Sequence, residues 1–414
     1  MNIVKSILTI AFAWISLYSS GDNRRMLLTT DIDLQGRTMT IPENTILVGQ
    51  GGVIKNGTVV GTYTSIESRQ AVFSGVSIQG TWMVPEISTL LFVSLKGVNA
   101  LKEVLALANP DVQNTIIIDK GTYVVKATHE EDACLTVCSN TELVVNGSIE
   151  LLPNSLSMCD IVRLEGENIV LRGKGQIVGD KHTHTGTEGE WGMGVRISHA
   201  QNVRVSGLTI KNCWGDCIYI NKHSKNVVID GCILDHGRRQ GISIVCADGV
   251  TISKCKITNV GGTNPQYGID IEPNSKDFVD NVRIEHVTIT QCKGGITTKG
   301  RIKDRKQIQI GSVYITDCEI SSTHRIPLRL RTTKKVTVRN CKIYSPSDLN
   351  AVLADGVDTL TLENNQIEFD KGLVASAKRY LKALKNGEDI QPIKVINCIK
   401  QTIHHNRIKQ LKLP

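Results

Sequence analysis

The sequence predicts an all-β chain folded as a parallel β-helix, a solenoid of stacked coils, and three observations carry that expectation. One phrase occurs four times between Trp191 and Lys303: Val203-Arg204-Val205 answered by Cys217-Ile218-Tyr219-Ile220, Val227-Val228-Ile229 by Gly241-Ile242-Ser243-Ile244, Val250-Thr251-Ile252 by Gly268-Ile269-Asp270-Ile271, and Val282-Arg283-Ile284 by Gly295-Ile296-Thr297-Thr298. Its first apolar residue recurs at 203, 227, 250, 282, 313, 336 and 360, in steps of 24, 23, 32, 31, 23 and 24 residues, the self-similarity of a repeat fold. Composition agrees, with aromatics at 4%, 36 glycines, and repeats filled by Val, Ile and Thr, which suits thin sheets with tight corners. A leucine-rich repeat would share the Val250-x-Ile252-x-x-Cys255-x-Ile257 strand and corner. Its return segments are helical and leucine-rich, however, whereas these returns open on glycine and alternate as strands do.

Taken in order, Lys5, the apolar run Ile7 to Leu17 and the small residues Ser19, Ser20 and Gly21 have the pattern of a signal peptide over 1–20, too short for a membrane span, and imply a secreted or periplasmic protein. Residues 21–111 read as irregular first coils, with strand and turn signals such as Ile46-Leu47-Val48-Gly49 and Asn56-Gly57-Thr58. Within them a capping helix is expected near 98–108, since Leu101, Val104, Leu105 and Ala108 share one helical face and Pro110 closes it. Regular coils are expected over 112–370, followed by a C-terminal helix near 373–385 and a last strand or coil at 395–408, together a cap over 371–414.

Ile116-Ile117-Ile118 followed by Gly121-Thr122-Tyr123-Val124-Val125, after a helix, resembles the pectate-lyase superfamily, whose Gly-Thr-Tyr corner leads into right-handed parallel coils. The resemblance implies that handedness here. Twelve cysteines in an exported chain would suggest disulfides, yet Cys232, Cys255, Cys318 and Cys341 each fall five residues after the first apolar position of their phrase. Stacked coils would place them above one another, a buried ladder of thiols acting as small hydrophobes. No cysteine and histidine spacing of the zinc type occurs, and no metal or other cofactor is expected from the spacing.

Alternate residues of a strand face opposite ways. With Ile218, Ile220, Ile242, Ile244, Ile269 and Ile271 inward, the outward set is Asp216, Tyr219 and Asn221; Gln240 and Ser243; Asp270 and Glu272; Thr297 and Lys299; Arg329 and Arg331. The two longest steps begin at Val250 and Val282, so their extra residues form loops beside Asp270, Glu272 and Lys299. Trp191, Trp214, Tyr219 and Tyr267 gather here in an aromatic-poor chain, as stacking faces for sugar rings. Asp270 and Glu272 form the central pair: two carboxylates on one strand face, about 7 Å apart, fit the spacing of an inverting glycosidase. Asp216 and His236 are further catalytic candidates, for orienting substrate and shuttling protons, and Arg238, Arg239, Gln240, Lys299 and Glu190 are candidates for substrate contact.

Trp214-Gly215-Asp216-Cys217-Ile218 is similar to the Gly-Asp-Asp-Cys-Ile strand of polygalacturonases and related pectinases, and Gln240-Gly241-Ile242-Ser243-Ile244 to their His-Gly-Ile-Ser-Ile strand. Gly215 stands at their first carboxylate, Gln240 at their histidine, and Asp270-Ile271-Glu272 where they carry Arg-Ile-Lys. The resemblance implies a β-helix with a carbohydrate groove on this face. The residues leave three functions open. One is a secreted glycoside hydrolase. Another is a polysaccharide lyase or uronate epimerase, in which Asp270, Glu272 and Asn274 could bind Ca²⁺. The third is a non-catalytic glycan-binding adhesin. The partner in each case is a polysaccharide or oligosaccharide; the formal charge of +8 would suit an acidic one, and no basic run or nucleic-acid motif points to nucleic acid.

Overall fold

The computed structural model describes residues 17–20, 23–95, 97–300, 308–345, 350–370 and 392–411. One coil shows the repeating unit. Ser224–Asp230 forms the first side, Ile233–Asp235 the second and Ile242–Ile244 the third, and Ala247–Ser253 begins the next coil directly over Ser224–Asp230. Every side pairs in parallel with the same side of the coils before and after it. The second sides form an 11-stranded sheet, and the first and third sides belong to an 18-stranded one.

The phase read from the sequence is the phase of the ladder. Val203, Val227, Val250, Val282, Val313, Val336 and Leu360 are consecutive partners on the first side. All seven are buried, as are Ile218, Ile220, Ile242, Ile244, Ile269 and Ile271 on the third side. Alternation drives this arrangement: an inward Val or Ile leaves water at a gain of about 1.5–3 kcal/mol, while its outward neighbours stay free to vary. Cys232, Cys255, Cys318 and Cys341 lie buried in the same stack. The thiols of Cys255, Cys318 and Cys341 donate to the carbonyls of Ser253, Thr316 and Arg339, at 3.2, 3.1 and 3.2 Å. All twelve cysteines are free, so backbone pairing and packing, without covalent staples, hold the coils.

The corner entering the first side is turned by left-handed residues: Asn140, Asn168, Asn202, Asn226 and Asn281 have φ between 52° and 56°. Asparagine tolerates that conformation, and its amide is used again. Asn226 donates to Asn202, Asn202 to Asn168 and Asn168 to Asn140, at 3.1, 3.2 and 3.0 Å, a polar seam along the outside of the stack.

The helix expected near 98–108 is shorter, Leu101–Leu105, because Asn99 turns left-handed just before it and no side chain caps its start. Leu101 and Val104 are its buried face, and Glu103 accepts the Ile78 N–H at 2.7 Å, closing part of the edge of strand Phe73–Trp82. Parallel pairing begins well before residue 112: Asn23–Leu28 pairs with Thr45–Gly49, and Glu86–Ser88 pairs with Asn114–Ile118 across that position. Of the leader expected over 1–20, residues 1–16 lie outside the described residues, and Leu17–Ser20 pairs antiparallel with Asn23–Leu28. The C-terminal helix expected near 373–385 also lies outside them, while the expected last coil is present as Ile393–Ile396, Lys400–His404 and Arg407–Leu411. Among the described residues no helix is long and apolar enough to cross a membrane.

Two stability outcomes follow. Ile284→Ala, at a fully buried rung, should cost about 2–5 kcal/mol in chemical denaturation. A thiol reductant should leave the melting temperature unchanged, since no cross-link exists to break.

Candidate active site

The outer face of the third side carries one continuous row of residues in register: Arg163, Arg196, Tyr219, Ser243, Asp270, Thr297 and Arg329. In the middle of this row lies a pocket of about 200 Å³ lined by Glu190, Trp191, Tyr219, Arg239, Ser243, Val245, Asp270, Glu272 and Asn274. Asp270, Glu272 and Asn274 come from the long coil that begins at Val250, and Glu190 and Trp191 line the pocket from a preceding coil.

Asp270 sits at the floor and is only 2% exposed, although it points away from the apolar core. Gln240 Nε2 donates to its Oδ2 at 2.7 Å, while its Oδ1 is buried without a hydrogen-bond partner. Gln240 is itself locked, because its Oε1 accepts the Tyr267 N–H at 2.7 Å. Burial, reinforced by the nearby Glu272 charge and opposed by Arg239, pushes the Asp270 carboxyl up to about 7. Glu272, two residues along the same strand direction, is more open and ion-paired with Lys299 at 2.5 Å. The two carboxyls therefore stand in contrasting surroundings: Asp270 is sheltered from water, and Glu272 meets an ammonium.

Asp216 lies just beneath the pocket. Its Oδ2 accepts Arg239 Nη1 at 2.9 Å and the Ser243 hydroxyl at 2.6 Å, and its Oδ1 is buried and unpaired. Burial raises its pKa, with Arg239 and Ser243 pulling the other way. Arg239 is the hub, since its Nε has no hydrogen bond and faces Glu190 at 3.6 Å while its charge acts on Asp216, Glu190 and Asp270 together. The orphaned Asp216 Oδ1, Asp270 Oδ1 and Arg239 Nε leave polar groups in this site that a bound molecule could satisfy.

Tyr219 is half-buried under the Arg196 guanidinium, 4.9 Å from its ring centre, and Trp191 is 37% exposed at the pocket wall. Seven expected site residues are not part of the pocket lining: Asp216, Gln240 and Lys299 bond residues that are, while Trp214, Arg238, Tyr267 and His236 stand apart. Trp214 is sandwiched between the His184 ring, stacked at 3.8 Å, and the Arg238 guanidinium, 3.6 Å from its ring centre, so both its faces are taken. Arg238 also donates to the carbonyls of Gly189 and Trp214 at 3.1 and 3.4 Å, which anchors the covering loop instead of a ligand. Tyr267 is 2% exposed because its ring lies on Gly294 of the next coil, where a Cβ would come within 2.5 Å. His236 pairs with Asp235 at 2.7 Å at the end of the second side. Ser243 and Arg196 were not singled out from sequence, and their positions in the outward row beside Asp270 and Tyr219 were the available signal. Gly215 has a steric reason: a Cβ there would meet the Glu190 carbonyl at 2.6 Å, so no carboxylate can stand at that position.

The raised Asp270 has a measurable consequence. Between the ordinary carboxylate range and about 7, the folded protein holds a proton that the unfolded chain has released, so this group lowers stability as pH rises through that window. Asp270→Asn can still accept from Gln240 and never ionises. Its melting temperature should match wild type near pH 4 and exceed it by a few degrees at pH 8; equal melting at both pH values would contradict the assigned burial.

Comparison with known proteins agrees with this architecture. A family profile described as "Right handed beta helix region" matches residues 143–308. The chain is 30% identical over 209 residues to the uncharacterized protein YclG of Bacillus subtilis (strain 168), covering 44% of this chain and 36% of that protein. It is 23% identical over 334 residues to the SPbeta prophage-derived uncharacterized protein YorA of the same organism, covering 72% of this chain and 56% of that one. The matches thus span about half or less of the length of these relatives. Among solved structures, the A-module of the Azotobacter vinelandii mannuronan C-5 epimerase AlgE6 superposes with a TM-score of 0.55 at 15% identity, over 75% of this chain and 82% of that one. Register, family profile and superposition agree that this chain folds as a right-handed parallel β-helix.

Proposed function

We propose that the pocket around Asp270 is the active site of an exported glycoside hydrolase that cleaves a polysaccharide with inversion. The observation that carries this reading is the contrast between its two carboxyls. Asp270 is buried and raised to about 7, whereas Glu272 beside it is paired with Lys299. Adjacent outward positions on a strand are about 6.5–7 Å apart, inside the window that leaves room for a water between sugar and base.

In the reaction, Asp270 donates its proton to the glycosidic oxygen as the bond from that oxygen to the anomeric carbon breaks. Glu272 takes a proton from a water whose oxygen forms the new bond to that carbon from the opposite face. Proton exchange with solvent then returns both carboxyls to their starting states. Gln240, bonded to Asp270 Oδ2, leaves Oδ1 as the proton-bearing oxygen. Arg239 and Ser243 fix Asp216 beneath the site, and Arg239 supplies positive potential where the leaving oxygen gains charge. Trp191 and Tyr219 are the apolar walls against which a sugar ring can stack.

A calcium-assisted lyase or epimerase would need Asp270, Glu272 and Asn274 as ligands. This donor set does not favour the ion: Lys299 already pairs with Glu272, burial pushes Asp270 up to about 7, and no three His, Cys, Asp or Glu side chains gather for a metal among the described residues. The reading therefore contains no calcium step.

Incubation with a panel of acidic and neutral polysaccharides should release new reducing ends without new ultraviolet absorbance; an unsaturated, absorbing product would replace the hydrolase by a lyase. Asp270→Asn and Glu272→Gln should each lower kcat by about 10²- to 10⁴-fold, the usual contribution of a positioned acid or base. With wild type, kcat/KM should fall as pH rises above about 7, where Asp270 loses its proton. Unchanged turnover in both variants would leave a glycan-binding surface without chemistry.

A further inference from the structure

Beyond Asp270 the outward row changes character. Arg329 follows Asp270 and Thr297 in register, and Arg331 lies two residues further along the same strand, Leu328–Arg339. Both side chains are half-buried, and the Nε of each is buried without a hydrogen-bond partner. Arg325 joins them from the preceding loop. Burial pushes the Tyr267 phenol up, and the charge of Arg329, its side-chain hydrogen bond to Tyr267, and the charges of Arg325 and Arg331 all pull it back. Arg325 is held by Asn264 Oδ1 at 2.6 Å. None of the three has a carboxylate within ion-pair distance among the described residues, although Arg163, Arg196, Arg239 and Arg339 in the same chain each have one. Burial first and the Arg329 charge second press Arg331 below the ordinary guanidinium range, with Tyr267, Glu272 and Asp270 opposing them.

Two guanidiniums thus share one outer face, partly desolvated, with the Nε of each unpaired and, among the described residues, no carboxylate in ion-pair contact with either. That arrangement is costly for a surface that meets only water, and it is relieved by a planar oxyanion that can take parallel N–H bonds from arginine. Two coil spacings separate the row positions of Asp270 and Arg329, about 10 Å along the axis, so a group bound there would lie along the same trough, away from the bond being cut. We propose that Arg329 and Arg331 form a subsite for an oxyanion carried by the glycan, the carboxylate of a uronate or a sulfate ester, and that this subsite makes the protein selective for an acidic chain. The inference rests on the reading of the trough as a glycan site. A neutral sugar at this place would leave the buried Nε groups unpaired, and it is this unmet demand that discriminates against it.

The test uses the full chain carrying Asp270→Asn, so that binding is read without turnover. Calorimetry would compare polygalacturonate and alginate, the carboxyl-reduced neutral counterpart of each, and dextran sulfate. The Asp270→Asn protein should bind at least one acidic polymer about tenfold or more tightly than a neutral counterpart, a difference of about 1.4 kcal/mol. Adding Arg329→Gln and Arg331→Gln should remove that preference while leaving neutral affinity unchanged, and the Arg329→Lys and Arg331→Lys pair should recover part of it. Single variants, each checked by thermal melting, guard against loss of the fold. Preference between the uronate polymers and dextran sulfate tells carboxylate from sulfate. Equal binding of acidic and neutral forms, retention of the preference in the Gln variants, or no binding to any acidic polymer would overturn the subsite. Failure of the hydrolase reading is separate: it appears as turnover surviving Asp270→Asn, whatever the arginines do.

Discussion

Each coil is held to the next by parallel backbone hydrogen bonds, and because those bonds repeat at a fixed spacing they dictate where every outward side chain stands. The inward aliphatic columns, such as Val227, Val250, Val282 and Val313, keep that register from slipping, since a shift by one residue would turn each of them out to water. The outward row is then a by-product of packing. Arg196, Tyr219, Ser243, Asp270, Thr297 and Arg329 are brought into line by the apolar residues on either side of them, not by any attraction among themselves.

On this rigid ruler the chain builds an electrostatic gradient. Asp216 and Asp270 are buried on the outer face with one oxygen each unsatisfied, and the charge of Arg239 acts on both. Burying two carboxylates is expensive, and it is tolerated because Arg239, Ser243 and Gln240 supply bonds to the oxygens that face them. The remaining cost appears as an Asp270 raised to about 7, so the side chain that weakens the solenoid is the one the proposed reaction uses as its acid. Glu272 beside it is paired with Lys299, and two coils on the row carries arginines whose Nε groups are buried without a partner.

The coil phase and the inward and outward sets were legible because a solenoid repeats its local pattern, so each strand confirms its neighbours. The thiol ladder was legible for the same reason, from one offset recurring at Cys232, Cys255, Cys318 and Cys341. The short helix was overestimated because apolar spacing extends to Ala108, while the left-handed Asn99 and the missing cap decide its true length. Trp214 and Tyr267 looked like sugar platforms because composition says nothing about what covers a ring. His184, Arg238 and Gly294 do the covering, and they come from other coils or a distant loop.

By itself, the sequence determined the architecture of this protein: a two-residue alternation repeated at a near-constant period admits one way to bury its apolar residues, and that way is a parallel stack. It also determined that Asp270 and Glu272 would share a face, since that follows from strand parity alone. Only the tertiary structure decided that Asp270 would be sealed from water while Glu272 met Lys299, that Arg239 would lie across Asp216, and that the Nε groups of Arg329 and Arg331 would be buried without a partner. The reason is physical. Parity assigns a direction within one strand, whereas burial, pairing and charge balance are set by loops and neighbouring coils whose approach no local pattern encodes.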